Sequence, residues 1–330
     1  MSEENDVLPD DAAAQRGSLE GWAAAQQRQM DPPRARVRAC TRKVRDWARR
    51  PTYIRARWPR PLGTRPPIGL AVCAIFRDQA RYLAEWVSFH RIQGVERFYL
   101  YDNRSTDDWR SELQPEIEAG IVEVQHWLFV PGQLSAYEDC LRRHRDDARW
   151  IAFIDSDEFL FSPTGKRLPE VLRGFDTHPA VVANWRLYGT SGWEHPPEGL
   201  VIENYLMRAP DEYDGNRQVK SIVNPRSALG QASSAHHFRL RGDPVGEDRL
   251  PIKFGIREPT ADLLRINHYF TKSQAEFERK VQIPRPSTGL PRDGVRAPVD
   301  AIRDETILQF APQLRELLSS RDGREYPVVR

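Results

Sequence analysis

Four short apolar runs separated by helical stretches organise the chain between residue 67 and about residue 160. The first and the fourth run lack the polar alternation of a half-exposed strand, so we interpret these two as strands buried in the sheet. After the first run, apolar residues recur at helical spacing until Gly94, which is typical of a helix C-terminus. This alternation of strands and helices predicts an α/β fold with a parallel sheet. The predicted strands are Ile68–Phe76, Phe98–Tyr101, Ile121–Leu128 and Trp150–Ile154, and a helix is predicted over Ser135–Arg149.

Beyond Phe161 the apolar pattern becomes irregular and predicts a smaller subdomain of short elements joined by loops rich in glycine and proline. Two helical patterns follow near the C-terminus. Strand-like runs cover Val181–Leu187, Leu200–Tyr205 and Lys220–Val223, and the helical patterns cover Ser273–Val281 and Val299–Leu318.

Composition favours a soluble globular protein, since 29% of the 330 residues are charged and 39% are hydrophobic. No apolar run approaches the roughly 20 residues of a membrane span, and the acidic N-terminus does not resemble a signal peptide. The three cysteines, Cys40, Cys73 and Cys140, are widely spaced and suggest a reducing compartment rather than a disulfide framework. We therefore expect a cytoplasmic protein, with at most peripheral membrane contact.

The first 66 residues are predicted to form a flexible region ahead of a globular domain at 67–330. Between Arg34 and Arg65 the chain carries 12 Lys or Arg residues and one acid, Asp46, whereas the whole chain has a net charge of +2. This basic arm also contains Trp47 and Trp58. A solvated arm is the simplest interpretation. Contact with an anionic membrane surface is an alternative, and nucleic-acid binding is less favoured.

The strand that ends at Ile154 runs directly into Asp155-Ser156-Asp157. Ligands of open α/β sheets bind beside the carboxyl ends of the strands. Two carboxylates at one place repel each other unless a cation or a proton intervenes. A hard divalent ion that also holds a diphosphate would relieve this repulsion, which is the chemistry of a nucleotide-sugar glycosyltransferase. The alternative is an ordinary turn, where aspartate is common.

Polar residues also follow the first two predicted strands, and they extend the candidate site. Asp102 is placed to accept hydrogen bonds from a uracil ring or a ribose, and Arg77 to face a diphosphate or to hold Asp102. Lys220, in a short strand, is a candidate to neutralise a leaving diphosphate. The alternative for Asp102 and Arg77 is an ordinary solvent-exposed turn.

Histidines supply further candidates for a metal site. His268 lies in Ile266–Phe270, just before a predicted helix start at Ser273, and its neutral ring is suited to complete a site begun by Asp157. His236 and His237 are a second choice. A lone histidine is more often structural, and His90, on the apolar face of a predicted helix, is interpreted as a core residue.

The order of these motifs resembles that of glycosyltransferase family 92 (the DUF23 group) and its bacterial relatives. The resemblance covers about residues 68 to 285. It rests on Cys73-Ala74-Ile75-Phe76-Arg77-Asp78, Tyr82-Leu83, Glu85-Trp86, His90, Gly94, Tyr101-Asp102-Asn103, Phe153-Ile154-Asp155-Ser156-Asp157-Glu158-Phe159, Tyr188-Gly189-Thr190-Ser191-Gly192, Lys220-Ser221-Ile222-Val223, His237-Phe238, Asn267-His268-Tyr269 and Lys272-Ser273.

The resemblance implies a GT-A fold and metal-dependent transfer of a sugar from a UDP-sugar, with UDP-galactose a donor known in the family, and with inversion. It implies that Mn²⁺ or Mg²⁺ is bound by Asp157 and His268, while Asp155 contacts the ribose or the metal-bound water. Eukaryotic members of the family are usually anchored by one transmembrane helix, and we do not carry this expectation over to this chain. Trp193 stands where the family often has histidine after Ser-Gly.

An inverting transfer needs a carboxylate that deprotonates the acceptor hydroxyl. Glu194 and Glu203 are the candidates, followed by Asp211, Glu212 and Asp214, and Trp193 is suited to stack on an acceptor sugar. We expect a glycan or glycolipid acceptor at the cytoplasmic face of a membrane. The rival functions are a metal-dependent phosphohydrolase and a non-catalytic protein that binds nucleotide, lipid or nucleic acid.

Overall fold

A computed structural model describes residues 66–230, 234–252 and 255–321. Its strands are β1 (Ile68–Phe76), β2 (Arg97–Asp102), β3 (Val122–His126), β4 (Ala148–Phe153), β5 (Glu158–Phe161), β6 (Ala180–Leu187), β7 (Met207–Arg208), β8 (Val219–Val223), β9 (Arg265–His268) and β10 (Ile302–Arg303). Its α-helices are α1 (Ala80–Ile92), α2 (Trp109–Glu118), α3 (Gln133–Arg143), α4 (Leu168–Leu172), α5 (Val201–Asn204), α6 (Gln274–Gln282) and α7 (Ala311–Ser320). Short 3-10 helices cover Arg173–Phe175, Asp214–Arg217, Pro225–Ser227 and Thr306–Phe310.

The central sheet has eight strands in the order β3-β2-β1-β4-β8-β6-β9-β5. The four predicted strands form its parallel half, with β1 between β2 and β4. In the other half β8 runs antiparallel to both β4 and β6, and β9 runs parallel to β6 but antiparallel to β5. The predicted α/β class with a mostly parallel sheet is therefore confirmed. β7 and β10 form a separate antiparallel ribbon.

Burial explains why the parallel half folds as its apolar pattern predicts. The last seven residues of β1 are buried, and α1 packs Leu83, Trp86 and Phe89 into the same core. Burying each such side chain contributes about 1.5–3 kcal/mol. α1 ends at Ile92, and Gly94 follows with a φ of +96°, as its sequence position predicts. Cys73 and Cys140 are buried and free.

One predicted strand, Leu200–Tyr205, is wrong, because the segment forms the short helix α5 instead. The reason is a contact that is distant in sequence. The buried Glu85 carboxylate of α1 accepts hydrogen bonds from the backbone N–H groups of Val201 (2.8 Å) and Ile202 (3.2 Å). These are groups that the first turn of a helix leaves without partners, so the carboxylate favours a helix here.

The helix predicted over Val299–Leu318 is correct only in its second half, since α7 begins at Ala311. Before it, β10 pairs with β7 and the buried Asp304 accepts from Arg208 Nε and Arg265 Nη2, both at 2.7 Å. These contacts hold the chain extended around β10. Pro312 stands in the first turn of α7, where proline is tolerated.

Two side chains of α1 bind the outer backbone groups of β5, the last strand of the sheet. Trp86 Nε1 donates to the Glu158 carbonyl (2.7 Å), and His90 Nε2 accepts from the Leu160 N–H (3.1 Å). His90 Nδ1 lies 2.8 Å from the Trp86 carbonyl, to which it donates. These contacts require a neutral ring protonated at Nδ1. His90 is therefore a core histidine, as predicted.

Protonation of His90 is expected to destabilise the fold. Burial lowers the pKa of His90 to about 3, from an ordinary value of 6.5. The neutral ring therefore contributes to the free energy of unfolding above pH 6.5. This contribution is lost as the pH falls, by about 2–3 kcal/mol between pH 6.5 and 4.5. Denaturant unfolding of wild type and His90→Gln, which keeps a donor and an acceptor, measures this. The wild type should lose more free energy of unfolding than the variant over that interval, and equal losses would contradict the prediction.

None of the described helices combines the length and the apolar character that a bilayer span requires. The basic arm and Cys40 lie outside the described residues, so the division at residue 66 and the peripheral membrane contact stay predictions.

Candidate functional site

The turn between β4 and β5 carries Asp155 and Asp157, at the strand end that the sequence predicts. Glu158 makes two hydrogen bonds with the backbone of Asp155 across this turn. Its Oε2 accepts from the Asp155 N–H (2.9 Å), and its own N–H donates to the Asp155 carbonyl (3.1 Å). The Asp157 carbonyl accepts from the Tyr269 N–H just beyond β9 (2.9 Å). The turn that carries the two carboxylates is thus attached both to β4 in the parallel half of the sheet and to the end of β9 in the other half.

Asp155 is held by one cation and two neutral donors. Its Oδ2 lies 2.8 Å from Nζ of Lys220 on β8. Its Oδ1 accepts from Gln133 Nε2 of α3 at 2.7 Å and lies 3.4 Å from the Tyr137 hydroxyl. Burial would raise the pKa of Asp155, but the Lys220 ammonium contributes to a net lowering. Asp155 is therefore an ionised carboxylate oriented by α3 and β8.

Lys220 and Glu158 form a buried pair beneath the two aspartates. Lys220 is 1% exposed and Glu158 is fully buried, with Nζ and Oε1 3.6 Å apart. Burial raises the pKa of Glu158 well above its ordinary value. Burial would lower the pKa of Lys220, but Asp155 and Glu158 outweigh it and raise the pKa. The lysine is therefore charged. Sequence reasoning missed the part played by Glu158, although an acid that opens an apolar strand was a usable signal.

Asp157 faces two basic groups. Its Oδ1 lies 3.5 Å from His268 Nε2 at the end of β9, and its Oδ2 contacts the Lys280 ammonium of α6. Lys280 also donates to the Phe270 carbonyl at 2.8 Å. Burial would raise the pKa of Asp157, but Lys280 and His268 hold it well below its ordinary value. Lys280 is a second residue that sequence reasoning missed, and nothing in its surroundings along the chain marks it.

His268 is buried beside the indole of Trp185, with ring centroids 4.4 Å apart. Burial lowers its pKa, so the ring is neutral near pH 7. Within the described residues its Nδ1 has no hydrogen-bond partner. The His236 ring meets the same indole edge-on, with ring centroids 5.2 Å apart, and its Nδ1 donates to the Val219 carbonyl at 2.9 Å. His237, the other histidine named from the sequence, is half-buried.

Asp157 and His268 fit two positions in the coordination shell of a divalent cation. Ligand atoms each about 2.0–2.2 Å from one ion lie roughly 3.0–3.5 Å apart when they are neighbours in its shell, and Asp157 Oδ1 and His268 Nε2 are 3.5 Å apart. The described ranges contain no group of three His, Cys, Asp or Glu side chains arranged around one point. Phosphate and water would therefore supply the other ligands, as is usual for Mg²⁺.

Arg77 and Asp102 lie where β1 and β2 end, since Phe76 pairs with Asp102 in the register of the sheet. Asp102 is buried. It accepts from the Ser105 N–H (2.9 Å), and its Oδ2 lies 3.1 Å from His126 Nδ1. Arg77 is half-exposed and pairs with Asp78 at 3.4 Å rather than with Asp102.

The two candidate bases differ in their surroundings. Glu203 is bound by both Nε (2.9 Å) and Nη2 (2.6 Å) of Arg315 on α7. Glu194 is exposed, and its carbonyl accepts from the Ala275 N–H at the start of α6, the helix that carries Lys280. The Trp193 indole is partly exposed and donates to the Asn204 carbonyl at 3.0 Å.

The more distant acidic candidates are also placed by the structure. Asp211 is bound by Arg208 at 2.8 Å, Glu212 is exposed, and Asp214 lies in a 3-10 helix. No contact joins any of these three to the Asp155–Asp157 turn among the residues described.

Comparison with known proteins identifies the family to which the chain belongs. A protein of glycosyltransferase family 92 from Ricinus communis is 33% identical over 224 residues, which cover 65% of this chain and 37% of that protein. Galactan β-1,4-galactosyltransferase GALS1 of Arabidopsis thaliana is 29% identical over 109 residues, or 30% of this chain and 22% of that protein. The chain therefore spans well under half the length of these relatives.

Among solved structures, S. aureus TarS in complex with UDP matches 48% of this chain and 47% of that chain, with 15% identity and a TM-score of 0.34. A similarity this low does not indicate a shared ligand or mechanism. The sequence profile of glycosyltransferase family 92 matches residues 67–256, which contain β1, the Asp155–Asp157 turn and Lys220. The chain, with the parallel sheet and flanking helices expected of a GT-A fold, belongs to glycosyltransferase family 92.

Proposed function

We propose that this chain transfers a sugar, with galactose the first candidate, from a UDP-sugar to a glycan or glycolipid acceptor with inversion. One observation carries the proposal. The Asp155–Asp157 turn, Lys220 and His268 come from three separate parts of the chain, yet they form one cluster of ionisable groups at the end of β4, joined through Glu158. Family membership and the similarity to a galactosyltransferase support the reaction and the sugar.

In this proposal Asp157 and His268 hold Mn²⁺ or Mg²⁺, and Asp155 contacts the ribose or a water on the metal. The bound ion would supply positive charge to the diphosphate as the bond to the sugar breaks. Asp102 contributes an acceptor for the uracil or the ribose, and Arg77 a cation that faces the diphosphate. Because the Lys220 ammonium is buried against Asp155, its part is to fix that carboxylate and to add positive potential beneath the leaving group.

Glu194 is the preferred base, because both oxygens of Glu203 are already bound by Arg315, whereas the Glu194 side chain is exposed. Glu194→Gln is expected to lower kcat about 100-fold, while UDP affinity stays unchanged, since only proton removal is lost. Steady-state kinetics and calorimetry measure the two quantities. The matched control is Glu198→Gln, an exposed glutamate in the same loop. Loss of activity in Glu203→Gln but not in Glu194→Gln would transfer the role to Glu203.

The test of the function is UDP release from a panel of UDP-sugars, with Mn²⁺ and with EDTA. The proposal expects slow hydrolysis of one donor that requires the metal, and faster release when the right acceptor is added. Absence of both donor hydrolysis and metal-dependent UDP binding would reject it. Release of phosphate from simple phosphomonoesters instead would favour a phosphohydrolase.

A further inference from the structure

A turn of the chain between α6 and β10, which we call the basic strap (residues 283–292), lies against the N-terminus of α3. The Pro286 carbonyl accepts from the N–H groups of Gly132 (3.0 Å) and Gln133 (3.1 Å). Two bonds between Arg285 and the backbone of Gly289 and Leu290, at 2.8 and 2.9 Å, close the strap on itself. The Gln133 side chain also binds Asp155, so the residue that anchors the strap contacts the candidate site directly.

The strap holds two arginines that the fold leaves without a counter-charge. No carboxylate among the described residues pairs with Arg285 or Arg292, although both side chains are about half-buried. Arg285 Nε is buried and lacks a hydrogen-bond partner within the described ranges. Arg292 uses its Nε on the Ile283 carbonyl (3.1 Å), and no bond of its two terminal nitrogens is seen in the same ranges. A buried donor without a partner is costly, so one that persists needs an explanation, and a bound water, ion or ligand is one such explanation.

Contacts through Phe270 and Lys280 also connect Arg292 to the aspartates. The Arg292 guanidinium carbon lies 6.0 Å from the centre of the Phe270 ring, and Lys280 Nζ lies 4.1 Å from the same ring. Lys280 in turn contacts Asp157. Burial and the neighbouring Arg285 charge lower the pKa of Arg292, while Asp157 and Asp155 act in the opposite direction. Arg292 therefore lies close enough to Arg285 and to the two aspartates to respond to their charges, and an anion bound by the two guanidinium groups would relieve their mutual repulsion.

We propose that Arg285 and Arg292 form an anion site that binds the diphosphate of the nucleotide-sugar donor, an inference that rests on the proposed function. The guanidinium fork suits phosphate oxygens, because it donates parallel hydrogen bonds at full charge. The two arginines would bind the diphosphate oxygens, and a cation held by Asp157 and His268 would supply further positive charge to the same group. The negative charge that develops on the leaving UDP is then met by the arginines and by the cation.

Calorimetry of UDP, uridine and pyrophosphate binding, with Mg²⁺ present, tests this site in the full chain. Arg285→Gln and Arg292→Gln are each expected to weaken UDP binding about 10- to 100-fold and to leave uridine affinity unchanged. Pyrophosphate binding should weaken in parallel. Arg296→Gln, which removes an exposed arginine a few residues later, should bind UDP like the wild type.

The outcomes separate this inference from the function on which it rests. Unchanged UDP affinity in both variants, or equal losses for UDP and uridine, would overturn the anion site, since equal losses indicate a structural role. A wild type that binds pyrophosphate through the two arginines but does not bind UDP would keep the anion site and reject the nucleotide-sugar donor. A wild type that binds neither would overturn both.

Discussion

Asp157→Asn is expected to lower sugar transfer about 10³-fold or more while the protein stays folded. The Asp157 carboxylate faces His268 Nε2 at 3.5 Å, so its loss removes the negative group of the proposed cation site. A neutral amide binds Mn²⁺ or Mg²⁺ far more weakly, and the leaving diphosphate would lose several kcal/mol of stabilisation. Asparagine keeps the shape of the side chain and can still accept from Lys280. Metal-dependent UDP release and UDP calorimetry measure the effect.

The matched control for this prediction is Asp262→Asn, which removes an exposed carboxylate of the same type and should retain wild-type activity. A thermal melt of each variant shows whether the fold is intact. If Asp157→Asn transfers sugar at the wild-type rate, with the same response to EDTA, then Asp157 neither binds the cation nor takes part in the reaction.

Lys220→Met is expected to lower the free energy of unfolding by about 3–5 kcal/mol and to abolish activity as well. The ammonium is the nearest cation to Asp155 and to the fully buried Glu158, at 2.8 and 3.6 Å. Methionine fills similar volume but leaves Asp155 as an uncompensated charge above a buried acid. Removing one partner of such a buried pair is far more costly than removing both. Urea unfolding measures the loss.

A double variant separates lost charge from lost packing. Lys220→Met combined with Asp155→Asn should recover at least about 1 kcal/mol of the loss, since the uncompensated charge is then absent. Lys166→Met, at an exposed lysine, should change the free energy of unfolding by about 0.5 kcal/mol or less. A double variant no more stable than Lys220→Met alone would show that the lysine acts through packing rather than through charge.

The sequence predicted the parts of the site that are determined locally. An apolar run ending in Asp155-Ser156-Asp157 sufficed to place both carboxylates at a strand end, and the register of β1 with β2 brings Arg77 and Asp102 to the neighbouring ends. His268 and Lys220 were named as candidates, and the structure joins each to one of the two aspartates.

The remaining features depend on contacts between segments distant in sequence. Nothing near residue 220 indicates that β8 is inserted antiparallel beside β4, which is what brings Lys220 to Asp155. Lys280 contacts Asp157 although the two residues are 123 positions apart in the sequence. The helix α5 follows from Glu85, more than a hundred residues earlier. Local pattern cannot reveal partners of this kind, since each arises from tertiary packing.

The contacts of Trp86 and His90 with β5 have a consequence for the behaviour of the protein in concentrated solution. A terminal strand normally exposes free N–H and C=O groups that can recruit a strand from another molecule. Here an indole and an imidazole, one helical turn apart on α1, occupy the outward groups of Glu158 and Leu160. A variant that lost both rings would uncover Glu-Phe-Leu-Phe, a short and strongly apolar segment, as a template for intermolecular β-pairing. The same two side chains that support the turn of the candidate site thus also protect the molecule against self-association.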